Sequence, residues 1–192
     1  MLRSMNDGDT SASAYDTAWV AMVPKVGGDG GAQPQFPATV RWIVDHQLPD
    51  GSWGDSALFS AYDRMINTLA CVVALTKWSL EPARCEAGLS FLHENMWRLA
   101  EEEAESMPIG FEIAFPSLIQ TARDLGVVDF PYGHPALQSI YANREVKLKR
   151  IPRDMMHRVP TSILHSLEGM PDLDWARLLN LQSCDGSFLF SP

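Results

Sequence analysis

One short word occurs twice in this chain: Gln-x-x-Asp-Gly-Ser-aromatic. The first copy runs from Gln47 to Trp53, the second from Gln182 to Phe188. Ahead of the first copy stand the apolar Trp42 and Ile43, and Gln47 comes four residues after Ile43, so the word reads as the end of a helix followed by a tight turn. Pro49 has no backbone donor and Gly51 accepts a positive φ, which together stop the helix. A Gln at a helix end can bond the orphaned backbone groups there and lie against an indole face. The same joint built twice points to a layered assembly of helices. No convincing strands stand between the copies, and Pro or Gly punctuates one helical pattern after another. The fold class is therefore all-α, an array of about eight short to medium helices.

In chain order, residues 1–12 are polar and read as loose. Ala14 to Val23 predicts a short helix with Trp19 and Met22 near one face. Residues 24–37 read as a loop rich in Gly, Pro and Gln, and Phe36 to His46 as the helix entering the first word. Ala57 to Trp78 predicts a long helix, striped by Phe59, Tyr62, Ile66, Leu69, Val73 and Leu75. Pro82 suits the first turn of a helix that runs on to Glu105. Met107 to Gly110 breaks the chain. Phe111 to Leu125 resumes helical spacing, with Pro116 predicted to kink or divide it. Pro135 opens another helix, carrying Leu137, Ile140 and Tyr141. Residues 144–158 read as basic and less regular, with Pro152 inside. Thr161 to Gly169 predicts a short helix with a Gly stop. Asp172 is the predicted N-cap of a last helix through Trp175 and Leu178, with Asp174 in its first turn.

Composition excludes several classes. With 46% hydrophobic and 20% charged residues the chain is ordinary globular material. A formal net charge of −9 argues against nucleic-acid binding. The longest apolar run, Leu69 to Leu75, is far short of the ~20 residues of a membrane span. The first residues have neither an apolar signal core nor the character of a transit peptide. Cys71, Cys85 and Cys184 form no CxxC pair and read as buried, reduced thiols of an intracellular compartment.

Three groups of residues could carry chemistry. Arg144, Lys147, Lys149, Arg150, Arg153 and Arg158 make a basic island in an acidic chain, opposed locally by Glu145 and Asp154. Such a field suits a small polyanion such as a diphosphate, or equally a solvated segment that pairs with nearby acidic helices. Glu101, Glu102, Glu103 and Glu105 are dense enough to hold Mg²⁺, or else form a solvated helix end. His165 lies among apolar neighbours, where it can be a hydrogen-bonded core residue or a general base. His46, His93 and His157 show no partner. Ser/His/Asp triads, phosphate loops and zinc spacings are absent from the sequence.

Several longer words then matter together: SAYDTAWVAMV (13–23), QLPDGSWGD (47–55), INTLACVVAL (66–75), MPIGFEIAFPSL (107–118), RIPRDMMHRVPTSILHSLEGM (150–170) and LQSCDGSFLFSP (181–192). In this order they resemble plant class II diterpene cyclases, above all those forming copalyl diphosphate, over nearly the whole chain from Ser13 on. The first word also resembles the Gln-Trp motif of the wider terpene-cyclase group. The resemblance implies α-barrel-type β and γ domains: residues 13–23 as the first β-domain helix, 24–180 as the γ domain, and 181–192 as the start of a return to further helices. It implies a plastid enzyme that protonates geranylgeranyl diphosphate, closes two rings and loses a proton, without ionising the diphosphate.

Carried over to matching positions, the resemblance gives Lys147 the diphosphate and His165 the water that acts as base, held with an Asn from a later segment. It gives the Glu101–Glu105 run a magnesium motif, matched imperfectly because Ala100 and Ala104 stand where acids are expected. The family's acid motif, Asp-x-Asp-Asp, does not occur here, so this chain alone is expected not to cyclise the substrate. The competing readings are a non-catalytic helical module that binds a prenyl diphosphate or a partner cyclase, and a triterpene or other terpene cyclase. Association through exposed apolar surface, at Trp19 and Phe188 to Phe190, is a further expectation.

Overall fold

The structure, a computed structural model, describes residues 12–27, 33–159, 167 and 169–182. Helices dominate, and the pairing between Pro24 and Pro34 is an isolated bridge. The chain divides into two compact units, Met1–Asn95 and Met96–Pro192.

The first unit is built on α3, Ala61–Lys77, whose sequence is apolar on almost every side; thirteen of its residues are buried. The helices α1 (Ala14–Ala21), α2 (Pro37–Asp45) and α4 (Pro82–Asn95) all pack against it. Small residues allow close approach. Ala18 and Ala21 of α1 are fully buried, and Gly88 of α4 lies so near Val72 and Trp53 that even a methyl group would collide. Ser13 caps α1 and Ser60 caps α3, each accepting from the backbone N–H three residues on. The cap at Ser60 explains why α3 starts at Ala61 rather than at Ala57. Asp55 instead accepts from the backbone N–H groups of Ala57 and Leu58 and holds the preceding residues in a turn.

The first Gln-x-x-Asp-Gly-Ser-Trp word is the joint predicted from its residues. Gly51 has φ +85°, and α2 stops at Asp45. Gln47 donates from its amide to the carbonyls of Gly51 (2.9 Å) and Arg84 (3.0 Å), while Arg84 donates back to the Gln47 side-chain oxygen (3.1 Å). Trp53 is fully buried, and its indole N–H donates to the carbonyl of Ile43 at the end of α2. A buried Arg on α3 closes the turn from the other side. Arg64 donates to Asp50 (3.3 Å), Ser52 (3.0 Å) and the carbonyl of Asp55 (2.6 Å), and its guanidinium lies over Phe59. The second copy of the word lies outside the described residues beyond Gln182.

The second unit carries α5 (Phe111–Asp124) packed against α6 (Leu137–Arg150), followed by α7 (Arg153–Met156) and α8 (Trp175–Leu179). Phe111, Phe115, Leu118, Ile119, Leu137 and Ile140 are buried on the first two. Ile113, Met156 and Met170 form a smaller cluster edged by Leu148, Ile151, Leu167 and Leu173.

Four readings change. Pro116 does not divide its helix: α5 is continuous through it. The ring removes one backbone bond near the start of the helix, and burial of the surrounding apolar residues outweighs that loss. The helix from Pro82 does not run to Glu105; it ends at Asn95, and short 3₁₀ turns, Met96–Ala100 and Ala104–Ser106, take over. The basic segment is more regular than expected, since α6 extends to Arg150 and only Pro152 interrupts it. The last cap is Asp174, which accepts from the N–H of Arg177, whereas Asp172 has φ +55° and pairs with Arg153. The helix predicted over Thr161 to Gly169 falls mainly outside the described residues.

Candidate functional site

Of the residues singled out in the sequence, Lys147 has the most unusual surroundings. It sits on the third turn of α6, and its ammonium forms an ion pair with Glu112 of α5. Glu112 is only 6% exposed, which is rare for a carboxylate. It stands in the apolar word Gly-Phe-Glu-Ile-Ala-Phe, on a helix turn that otherwise faces the core. One of its oxygens meets Lys147; the other is buried and has no protein partner. The Lys147 side chain itself remains about half exposed, at 47%. The pair is therefore one-sided: an inner anion fixes the ammonium, and the outer part of the cation stays open to solvent. An ammonium has three donors, so pairing with Glu112 leaves donors for an external anion.

The rest of the basic island divides. Arg153 pairs with Asp172 (3.7 Å) and Arg158 with Asp154 (3.1 Å). Arg144, Lys149 and Arg150 meet no carboxylate among the described residues. Arg153 and Arg158 thus neutralise local acids, as the reading of a segment that pairs with its surroundings expects.

Glu101, Glu102, Glu103 and Glu105 lie on the turns after α4, with Glu101, Glu103 and Glu105 exposed. They are not gathered. Among the described residues, no three His, Cys, Asp or Glu side chains lie close enough together to hold a metal ion. The expected helix ends at Asn95, so Glu101, Glu102 and Glu103 lie on irregular backbone and only Glu105 on a short 3₁₀ turn. As placed, the four carboxylates do not fit a resident Mg²⁺.

His165 lies outside the described residues. His46 stacks on Trp42, with centroids 4.0 Å apart, and His157 accepts from the backbone N–H of Asp174; both have structural partners. Cys71 and Cys85 are buried free thiols, as expected, and Cys184 lies outside the described residues. Sequence reasoning missed Glu112. The signal was present: a lone carboxylate inside an apolar helical stripe needs a cation, and the nearest surplus of cations was the basic island.

The comparisons with known proteins now weigh on this site. The chain is 73% identical over all 192 residues to ent-copalyl diphosphate synthase 2 of Zea mays and 74% identical to ent-copalyl diphosphate synthase 1 of Oryza sativa. It is 59% identical to a (−)-kolavenyl diphosphate synthase of Tripterygium wilfordii. The fold matches ent-copalyl diphosphate synthase of Arabidopsis thaliana, solved in complex with (S)-15-aza-14,15-dihydrogeranylgeranyl thiolodiphosphate, with TM-score 0.89 and 57% identity over 99% of this chain. Over its whole length the chain is similar to plant class II diterpene cyclases. Abietadiene synthase from Abies grandis also matches, with TM-score 0.87 and 47% identity. No family model matches. The chain spans about a quarter of the length of these relatives: 23% of the maize protein and 27% of the Arabidopsis chain. Among the described residues no helix is long and apolar enough to cross a membrane.

Proposed function

We propose that this chain supplies the diphosphate-anchoring wall of a cyclase that converts geranylgeranyl diphosphate to copalyl diphosphate, of the ent series, in a plastid. The reading rests above all on Lys147, a half-open ammonium held in place by a buried carboxylate. The high identity to proteins named ent-copalyl diphosphate synthase supports it.

The chemistry follows from the parts. Protonation-initiated cyclisation requires a strong acid at one end of the prenyl chain and leaves the diphosphate intact at the other. The anchor must therefore bind the anion without activating it as a leaving group. A single ammonium whose position is fixed by Glu112 binds by charge and withdraws little electron density from the bridging oxygen. Glu112 acts as a positioning residue, and its charge also weakens the net pull on the diphosphate. Magnesium enters this reading as the counter-ion of the substrate diphosphate, not as an ion resident on Glu101, Glu102, Glu103 and Glu105. His165 would hold the water that removes the last proton, together with an Asn from outside these 192 residues. Labdane- and gibberellin-type diterpenoid synthesis is the corresponding pathway class.

The proton donor is not in this sequence, so the 192-residue chain alone is expected to form no copalyl diphosphate from geranylgeranyl diphosphate and Mg²⁺. The decisive test is Lys147→Ala placed in a complete cyclase carrying this segment. Apparent substrate affinity should fall by about tenfold or more, the usual effect of removing a charged hydrogen-bond partner. Unchanged affinity would remove Lys147 from the site.

A further inference from the structure

A second cationic feature occupies the same helix pair. Between α5 and α6 lies a cavity of about 440 Å³, closed at one side by Met170 and Pro171. Two guanidiniums line it, Arg123 from the last turn of α5 and Arg144 from the middle of α6. Neither forms an ion pair with a carboxylate among the described residues. Arg144 donates to the hydroxyl of Ser117 (3.1 Å), which donates in turn to the carbonyl of Gly169 (2.9 Å). Its Nε is buried and has no partner. Arg123 stacks over Tyr132, 4.6 Å from the ring centroid, which leaves the edge of the guanidinium free. The acid nearest in sequence, Asp124, accepts from Gln120 (2.8 Å) and pairs with no cation. Tyr141, also in the wall, has its hydroxyl pushed up by burial, and both Arg123 and Arg144 act against that shift. Both guanidiniums and this phenol line the same cavity.

Two guanidiniums in one wall with no carboxylate partner among the described residues repel each other, and an oxyanion between them relieves that repulsion. A forked guanidinium binds phosphate through two parallel bonds, and the Tyr141 phenol can add a hydroxyl contact. We propose that the α5/α6 cavity is a binding site for a phosphate-class oxyanion, held between Arg144 and Arg123. The source is either a free inorganic anion or the head group of a prenyl diphosphate. This site does not depend on the role assigned to Lys147, one turn further along α6.

The test is calorimetric titration of the 192-residue chain with inorganic diphosphate, with far-UV circular dichroism establishing equal helicity in each variant. The native chain should bind saturably. Arg144→Gln and Arg123→Gln should each weaken binding by about tenfold, and Arg144→Lys by a similar factor because the fork is lost. Lys77→Gln, which removes a cation outside the cavity wall, should retain affinity within about twofold. No saturable binding to the folded chain, or full affinity in Arg144→Gln, would overturn the site. Affinity lost in Glu112→Gln/Lys147→Gln but kept in the arginine variants would also overturn it and place the anion at Lys147. A geranylgeranyl thiolodiphosphate that competes with the inorganic ion upholds the site with a prenyl head group as its ligand; one that binds without competing upholds it for the free anion.

Discussion

Lys147→Ala should destabilise the fold, and the reason lies in Glu112 rather than in Lys147. Glu112 is 6% exposed, and one of its oxygens already has no partner. Deleting the ammonium strands a buried carboxylate. Breaking a fully buried pair in this way costs about 3–5 kcal/mol. Because the lysine is half exposed, water can reach part of the vacated space, and the loss is discounted to about 2–3 kcal/mol. Glu112→Gln removes the charge but keeps the shape, at a cost of about 1.5 kcal/mol, the lower end for a hydrogen bond to a charged group. In Glu112→Gln/Lys147→Ala there is no charge left to strand, so the double variant should recover most of the Lys147→Ala loss. The expected coupling is at least 1 kcal/mol. Urea unfolding of the four proteins, followed by far-UV circular dichroism, measures it. Additive single effects, or a Lys147→Ala cost under about 0.5 kcal/mol, would refute the claim that the pair is buried and coupled.

Three further outcomes follow from other parts of the molecule. Gly88→Ala places a methyl 2.7 Å from Val72 and 3.0 Å from Trp53, so it should cost about 1–3 kcal/mol by overpacking, offset by up to ~1 kcal/mol of helix propensity; a urea midpoint at or above the native one would contradict that packing. Burial pushes both the Cys71 and Cys85 thiols up, Cys71 furthest, so peptide mapping should find neither alkylated by iodoacetamide at pH 7.5 in the native chain and both alkylated in urea; native labelling of Cys71 would count against the α1–α3 contact. The backbone N–H groups of Ala57 and Leu58 hold the Asp55 carboxyl below its ordinary range. A lowered folded value contributes stability above the unfolded pKa, about 3.9, and that contribution is lost as pH falls through the folded value. Asp55→Asn should therefore flatten the acid limb of the stability curve below about pH 4, and an unchanged slope would show that the turn does not use the charge.

Much of the fold is legible in local chemistry. Gln47, Gly51 and Trp53 announce a helix-to-turn joint because each does something a generic residue cannot: bond loose carbonyls, take a positive φ, and fill a large hole with one polar atom to satisfy. What the word does not disclose is its outer clamp. Arg64 is separated in sequence from Asp50 and Ser52 and looks like an ordinary charge on a helix; only packing shows that it is 5% exposed and bound to the turn. Pro116 misleads for the opposite reason. Local propensity favours a break, but Phe111, Phe115, Leu118 and Ile119 are all buried on one continuous helix, and their burial decides. The glutamate run misleads because metal binding needs convergence, and sequence density guarantees none once the helix ends at Asn95.

The two buried charged residues among the described ones differ in a way that bears on function. Arg64 spends its terminal nitrogens on three oxygen acceptors within its own unit and lies over an aromatic ring, although its Nε is left without a partner. It fixes a turn, and a ligand could add little there. Glu112 has a single partner, which is half in solvent, and a second oxygen with none. On the same pair of helices Arg144 keeps a buried donor unused. Purely structural charges tend toward saturation, because every missing bond in a low-dielectric setting costs free energy with no return. Shortfalls on both members of one helix pair, one anionic and one cationic, are the observation behind the ligand proposed at α5 and α6. If that is right, diphosphate should raise the urea midpoint of the native chain more than that of Arg144→Gln, whereas an equal shift in both would mean that the ion acts only by screening.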